Sequence, residues 1–249
     1  MTPDIIITII IMGIIFLSAF IKAAIGFGES MIGMPVVSLL IGIQVASPLL
    51  ALVAAVLTIA MLRSGWKGID LRGTWRFLLA ALIGTPLGVW GLKSVQPDWL
   101  TGFLGLAIVI AALLNLFRTK IVKLSHPNWG FLLGFGAGVL SGAYNISGPP
   151  TVLYGSLRRW NPQQFRISLQ GLFLPVTILK LISHGISGLW TPLVFRLFLL
   201  SSPLILFALW LGDYASRRIP KMRFNIILNS AITVFGLALC VQSVYRFLR

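Results

Sequence analysis

The chain has few acidic residues, few histidines and a single cysteine. Its 249 residues include five Asp or Glu, two His and one Cys, against twenty Lys or Arg. Because Cys240 is alone, a disulfide framework, a CxxC redox pair and a thiolate metal site are excluded. His126 and His184 belong to no HExxH motif, and no Walker motif is present. We therefore expect no enzyme, no ATP-driven pump, no metal and no cofactor.

Charge of either sign is scarce along most of the sequence. Charged residues make up 10% of the chain and hydrophobic residues 57%, which leaves no stretch for a soluble domain. The uncharged stretches are 5–21, 30–62, 77–92, 99–117, 128–157, 197–212 and 224–245. Several approach or exceed the roughly 20 apolar residues that cross a hydrocarbon core. The first stretch lacks a basic segment before it and an Ala-x-Ala site after it, so we interpret it as a mature membrane helix.

The positive charge is confined to connections between the apolar stretches. Fourteen of the twenty Lys and Arg lie in four short connections, at 63–76, 118–123, 158–166 and 217–223. Basic residues in short loops beside membrane spans mark the cytoplasmic face. The net charge of +15 therefore indicates topology rather than nucleic-acid binding. We predict a single all-α polytopic membrane domain over 1–249.

Two clusters of glycine and proline interrupt the apolar stretches. The first is GFGESMIGMP at 26–35 and the second is SGAYNISGPP at 141–150, so that Gly33 and Pro35 lie 115 residues before Gly148 and Pro150. Proline and glycine release backbone groups from a helix, and such groups persist in a membrane only when buried in protein or lining a cavity. Broken helices at matching positions of two halves point to the substrate site of a transporter.

The connections of the two halves have opposite charge. The connection at 185–191 has no Lys or Arg, whereas its counterpart at 63–76 has four; the connection at 213–223 has four, whereas 93–98 has one. Opposite polarity is what an inverted-topology repeat requires. We therefore predict repeat one over 1–120 and repeat two over 121–249, with about eight transmembrane helices. The broken segments are expected to be re-entrant, with their tips meeting near the midplane.

The helix that follows each cluster would point its N-terminus at the space between the tips. Ser147 is suited to an N-cap and Pro149 to the first helical turn. Two facing helix N-termini would form an anion site without a buried lysine. The candidate substrate-binding residues are Gly28, Glu29, Ser30, Pro35, Gly142, Tyr144, Asn145, Ser147, Gly148, Pro149 and Gln170. The alternative is that these glycines and prolines only allow close helix packing.

The remaining ionisable residues of the apolar segments have either a functional or a structural interpretation. Glu29 is the only glutamate, and it serves either as a proton-coupling carboxylate or as a cap for freed amides. Lys22 is expected to snorkel to the inner face or to pair with Glu29. Lys180 and His184 are interpreted as interfacial anchors, and Arg196 as a marker of the outer interface.

These motifs together resemble those of the sulfite exporter TauE/SafE family of membrane permeases. The resemblance depends on GFGE at 26–29 followed by GMP at 33–35, on SGAYNISGPP at 141–150, and on FR at 165–166 followed by LQG at 169–171. It covers nearly the whole chain. The resemblance implies about eight helices and secondary transport of small, mostly sulfur-containing anions, usually exported from the bacterial cytoplasm. It also implies a location in the inner (plasma) membrane of a bacterium. Family members often have glycine where this chain has Glu29.

The leading hypothesis is a secondary exporter of a small sulfur-containing or organic anion, such as sulfite, sulfoacetate or a related organosulfonate. Proton coupling through Glu29 is part of that hypothesis. Two alternatives stay open: a passive anion channel, and a membrane assembly or interaction protein without transport. The expected partners are a small anionic substrate and the lipid bilayer, with a homo-oligomer left open and nucleic acid excluded.

Overall fold

The described part of the protein consists of helices and short turns, without strands. The computed structural model describes residues 4–63, 71–96, 128–158, 160 and 162–216, together with positions 99, 102, 103 and 106. In these residues there are eight helices: α1 (Ile5–Ile25), α2 (Glu29–Ile41), α3 (Ile43–Leu62), α4 (Leu71–Ser94), α5 (Trp129–Tyr144), α6 (Gly148–Leu157), α7 (Pro162–Ile186) and α8 (Pro192–Ser216).

Five of these helices are long and apolar enough to cross a membrane. They are α1, α3, α4, α7 and α8, with 20 to 25 residues in each candidate span. The predicted all-α polytopic membrane fold is therefore confirmed. The predicted spans at 99–117 and 224–245 lie outside the described residues, except for the four single positions named above.

Both predicted helix breaks are present, and each consists of three residues. The first break, residues 26–28, separates α1 from α2, and the second break, residues 145–147, separates α5 from α6. Gly26, Gly28 and Asn145 adopt the left-handed conformation, with φ of 105°, 100° and 59°. Gly26 and Asn145 each end the preceding helix, as left-handed C-caps do. The helix ends match at an offset of 119 residues, because Ile25 corresponds to Tyr144 and Glu29 to Gly148.

The short helices beside the breaks are too short to cross a bilayer alone. Helices α2, α5 and α6 have 13, 16 and 10 residues, which is at most about 24 Å of helix against a hydrocarbon core of about 30 Å. Pro35 lies inside α2, several residues after the break itself. The backbone turns at the left-handed glycines rather than at this proline.

The same order of helices occurs twice along the chain. A pair separated by a break (α1 and α2, or α5 and α6) is followed by two long helices (α3 and α4, or α7 and α8). Helix α4 packs on α5, and α8 packs on α1; α3 contacts α8, and α7 contacts α4; α3 and α7 also contact each other. Exchanging α1–α4 for α5–α8 converts each of the first four contacts into another of them and leaves the α3–α7 contact unchanged.

Glycine allows the closest of these contacts. A Cβ on Gly138 of α5 would overlap the carbonyl oxygen of Ala81 on α4, and one on Gly142 would overlap that of Thr85. In the α1–α8 pair, a Cβ on Gly212 would lie 2.5 Å from the Cβ of Ala23. Small residues that let helix backbones approach are typical of membrane interfaces. These two helix pairs fix the positions of the breaks.

Candidate functional site

The two breaks lie against each other and enclose a small pocket. A Cβ on Gly148 would lie 3.4 Å from the Phe27 ring, so the start of α6 contacts the first break. The pocket is lined by Phe27, Gly28, Glu29, Ser30, Met31, Asn145, Ile146, Ser147, Gly148 and Phe173. Six of the residues proposed from the sequence are among them: Gly28, Glu29, Ser30, Asn145, Ser147 and Gly148. The structure thus brings both breaks to one site.

Two helix N-termini border this pocket. Helix α2 begins at Glu29, and α6 begins at Gly148 directly after Ser147. Pro149 lies in the first turn of α6, as expected, where a missing N–H costs least. The first N–H groups of a helix have no partner within it, and the dipole gives them positive potential. An anion between the breaks would therefore face the favourable ends of two helices.

Two buried amide side chains hold the breaks in place. Asn145 donates from Nδ2 to the Ser47 carbonyl oxygen at 2.7 Å and to Ser47 Oγ at 3.2 Å. Gln170 on α7 donates from Nε2 to the Gly26 carbonyl oxygen at 2.6 Å. Each amide thus ties one break to a long helix. Gln170 does not line the pocket, but it supports the first break.

Three polar atoms at or beside the breaks are buried without a hydrogen-bond partner among the described residues. They are Ser30 Oγ, Asn145 Oδ1 and Gln170 Oε1. Buried polar groups are normally bonded to protein, water or ligand, and an exception requires an explanation. Asn145 and Ser30 line the pocket and are 4% and 2% exposed. Their unused hydrogen-bonding capacity is available to a ligand or to water.

Glu29 is paired with Lys22 inside the protein. Lys22 Nζ lies 2.6 Å from Glu29 Oε1 and donates to Thr58 Oγ1 at 3.1 Å. Lys22 is 1% exposed, so the expectation that it snorkels to the inner face is wrong and the alternative of pairing is correct. Its position on the core-facing side of α1 explains the difference. Within the described residues, the Glu29 carboxylate bonds to Lys22 and to no backbone amide, which favours a charge pair over a cap.

Lys180 and His184 are also buried, which corrects their interpretation as interfacial anchors. They are 2% and 0% exposed. Lys180 donates to Ser141 Oγ at 3.4 Å, and His184 Nε2 lies 3.4 Å from the Gly142 carbonyl oxygen. Residues four apart share one face of a helix, and this face of α7 packs on α5. The four-residue spacing of Lys180 and His184 indicates that they share a helix face, but the sequence alone does not show whether that face is buried. Arg196 is exposed, as expected.

Besides Gln170, four predicted site residues do not line the pocket. Gly142 packs against α4, and Tyr144 is part of the hydrophobic core. Pro35 is buried within α2, and Pro149 is half-buried beside Gly148. Conversely, Phe173 of α7 lines the pocket and holds its ring 5.6 Å from Lys22 Nζ, a cation–π contact. Nothing in the sequence distinguished Phe173 from the other aromatic residues of the spans.

No set of three His, Cys, Asp or Glu side chains is placed to hold a metal ion in the part of the chain that the structure describes.

The family model described as sulfite exporter TauE/SafE matches residues 11–239. The chain belongs to the sulfite exporter TauE/SafE family. This TauE/SafE protein matched no curated protein and no solved structure. Family membership and the five long apolar helices make it a multi-pass membrane transporter.

Proposed function

We propose that this protein is a secondary transporter that exports a small sulfur-containing or organic anion across a bacterial inner membrane. The anion binds between the first and second breaks, and sulfite, sulfoacetate and related organosulfonates are the substrate class. The observation that carries the proposal is the meeting of the two breaks, with two helix N-termini at one pocket. Broken helices are the usual place of substrate sites in transporters with repeated halves.

The unpaired polar atoms support a ligand that has both acceptors and a donor. Oxyanion oxygens would accept from the N–H groups of α2 and α6 and from the Ser30 hydroxyl. The Asn145 Oδ1 atom is an acceptor, and its Nδ2 is already committed to Ser47. A protonated oxyanion such as hydrogensulfite, or a sulfonate with a hydroxyl or amino group, supplies the missing donor, and for sulfoacetate a bridging water would supply it.

Proton coupling through Glu29 is the second part of the proposal. The carboxylate lines the pocket, is 8% exposed, and is neutralised by Lys22 in this conformation. A carboxylate at an anion site repels the anion when it is charged and does not when it is protonated. Alternation between these states links proton binding to anion binding.

Ligand binding to the purified protein tests the substrate class. Because a ligand stabilises the state that it binds, thermal unfolding in sulfite, thiosulfate, sulfoacetate, taurine and simple carboxylates should show a rise in Tm for sulfur oxyanions. A rise only with carboxylates would change the substrate class. No rise with any anion would contradict an anion site between the breaks.

Counterflow in proteoliposomes separates a transporter from the two alternatives. A carrier takes up labelled anion faster when the liposomes contain unlabelled anion. A channel conducts the anion without this stimulation, and an assembly protein shows neither effect. We expect stimulated exchange.

A further inference from the structure

The buried ionisable side chains do not balance in charge. Among the described residues, the buried acidic and basic side chains are Lys22, Glu29, Lys180 and His184. Two lysines thus share one carboxylate. Of the other acidic side chains, Asp4 and Asp213 are exposed, and Asp70 and Asp98 lie outside the described residues.

Lys22 and Lys180 differ in how their ammonium groups are satisfied. Lys22 has a carboxylate at 2.6 Å and a hydroxyl at 3.1 Å. Lys180 has one contact within the described residues, the Ser141 hydroxyl at 3.4 Å. A buried charge without an opposite charge is costly, and inside a membrane protein it marks a functional position. Among the described residues, Lys180 is therefore the buried lysine that contacts no carboxylate.

Lys22 lies one helical turn before the first break, and Lys180 contacts a residue that lies one helical turn before the second break. Lys22 precedes Gly26 by four residues, and Ser141, which Lys180 contacts, precedes Asn145 by four residues. Lys22 and Ser141 therefore occupy matching positions at the offset of 119. In the first half, Lys22 is on the helix that ends at the break. In the second half, Lys180 is on α7, and it contacts Ser141 at the position that matches Lys22.

We propose that Lys180 supplies the net positive charge that the transported anion neutralises. The inference rests on the proposed anion site between the breaks. With Lys22 and Glu29 cancelling each other, protonated Lys180 gives the described buried cluster one excess positive charge, and a monovalent anion at the pocket completes it. This gives the TauE/SafE protein a lysine in its anion machinery, which two helix N-termini alone would not require.

Substitution of Lys180 by methionine tests the inference, because methionine keeps most of the side-chain length without the charge. In full-length protein in detergent, we expect Lys180→Met to bind sulfite at least tenfold more weakly than wild type, as measured by titrated thermal shift. The Tm without ligand should stay the same or rise, because an uncompensated buried charge has been removed. The matched control is Lys93→Met, at an exposed lysine of α4, which should bind as wild type does.

Combining this change with Glu29→Gln gives a test of charge rather than of shape. The excess buried charge is one in wild type, two in Glu29→Gln, zero in Lys180→Met, and one in the double variant. Sulfite affinity should increase with this excess charge. Lys180→Met should therefore bind most weakly, the double variant about as well as wild type, and Glu29→Gln most tightly. A purely structural lysine would instead make the double variant as weak as Lys180→Met or leave all affinities alike.

The outcomes separate this inference from the proposed function. If wild type binds sulfite and Lys180→Met binds it equally well, Lys180 is not the charge of the site, although the site itself stands. If wild type binds none of the tested anions, the proposed function fails and the inference fails with it. Where Lys180→Met does not fold, Lys180→Gln, which keeps a donor for Ser141, should show the same loss of affinity, and wild-type affinity in it would overturn the inference.

Discussion

Asn145 has a conformational role as well as a polar one. It adopts φ of 59° at the end of α5, a region that asparagine tolerates and most side chains do not. Its amide also bonds to Ser47 on α3. A leucine at this position, which matches asparagine in size, would therefore strain the backbone as well as remove the amide. Glycine is the better replacement because it accepts the left-handed conformation.

For Asn145→Gly we expect weaker anion binding, by about 1–3 kcal/mol, because buried partners lose their hydrogen bonds. The measurement is the anion concentration needed for half of the maximal thermal shift. The variant should still fold, since the turn is preserved. Wild-type affinity in a folded Asn145→Gly protein would leave Asn145 with a structural role only.

Glu29→Gln tests coupling at the residue scale. Glutamine keeps the shape of the protonated carboxylic acid, and it leaves the Lys22 charge without its partner. Anion binding should therefore stay intact or become tighter, whereas the pH dependence of transport in proteoliposomes should flatten. The matched control is Asp213→Asn at an exposed carboxylate, which should keep the wild-type profile. An unchanged pH profile in Glu29→Gln with normal uptake would refute proton coupling through this residue.

At the scale of elements, the sequence predicts where helices break but not how their side chains face. Gly26, Gly28 and Asn145 turn the chain, and their neighbourhood was recognisable from its glycines and prolines. The offset of 115 that aligns Pro35 with Pro150 differs from the offset of 119 between the helix ends, because proline is tolerated inside α2. The sequence predicts an interfacial position for Lys180 and His184, because near the end of an apolar segment a lysine more often snorkels than turns inward.

The contact between α4 and α5 gives a prediction for a pair of glycines on one helix. Gly138 faces the Ala81 carbonyl of α4, whereas a Cβ on Gly136 would meet no atom within 4 Å. Gly138→Ala should force the two helices apart and destabilise the protein by about 1–3 kcal/mol. Gly136→Ala should leave stability unchanged or slightly higher, because alanine favours helix over glycine.

Thermal unfolding of the two variants in the same detergent is the measurement. Equal Tm values for Gly136→Ala and Gly138→Ala would contradict the close approach of α4 and α5. Because Gly142 belongs to the same contact, a similar loss is expected for Gly142→Ala, and anion binding by the folded fraction should be retained.

At the scale of the whole molecule, we propose that repeats one (1–120) and two (121–249) are inverted with respect to the membrane. The contacts of α4 with α5 and of α8 with α1, and their counterparts around α3 and α7, support a two-fold relation between the halves. Contacts alone do not give the direction of the axis, whereas the opposite charge of matching connections does.

Labelling of introduced cysteines in a Cys240→Ser background tests the inversion. We expect Ser187→Cys to react with an impermeant maleimide from outside the cell, and Ser64→Cys, in the matching basic connection of the first half, to react only after permeabilisation. Reaction of both from the same side would show parallel repeats and overturn the inverted arrangement.

The contact between α1 and α8 has a consequence for biosynthesis. Roughly 190 residues separate Ala23 from Gly212, which touch in the finished protein, and at about 5–20 residues per second their synthesis takes roughly 10–40 s. During that time α1 is in the membrane without its partner. The nearest carboxylate to Lys22 is seven residues away on the adjoining helix, so the two charges are able to enter the bilayer together as a neutral hairpin. Lys180 is synthesised later, after all of the residues that line the pocket.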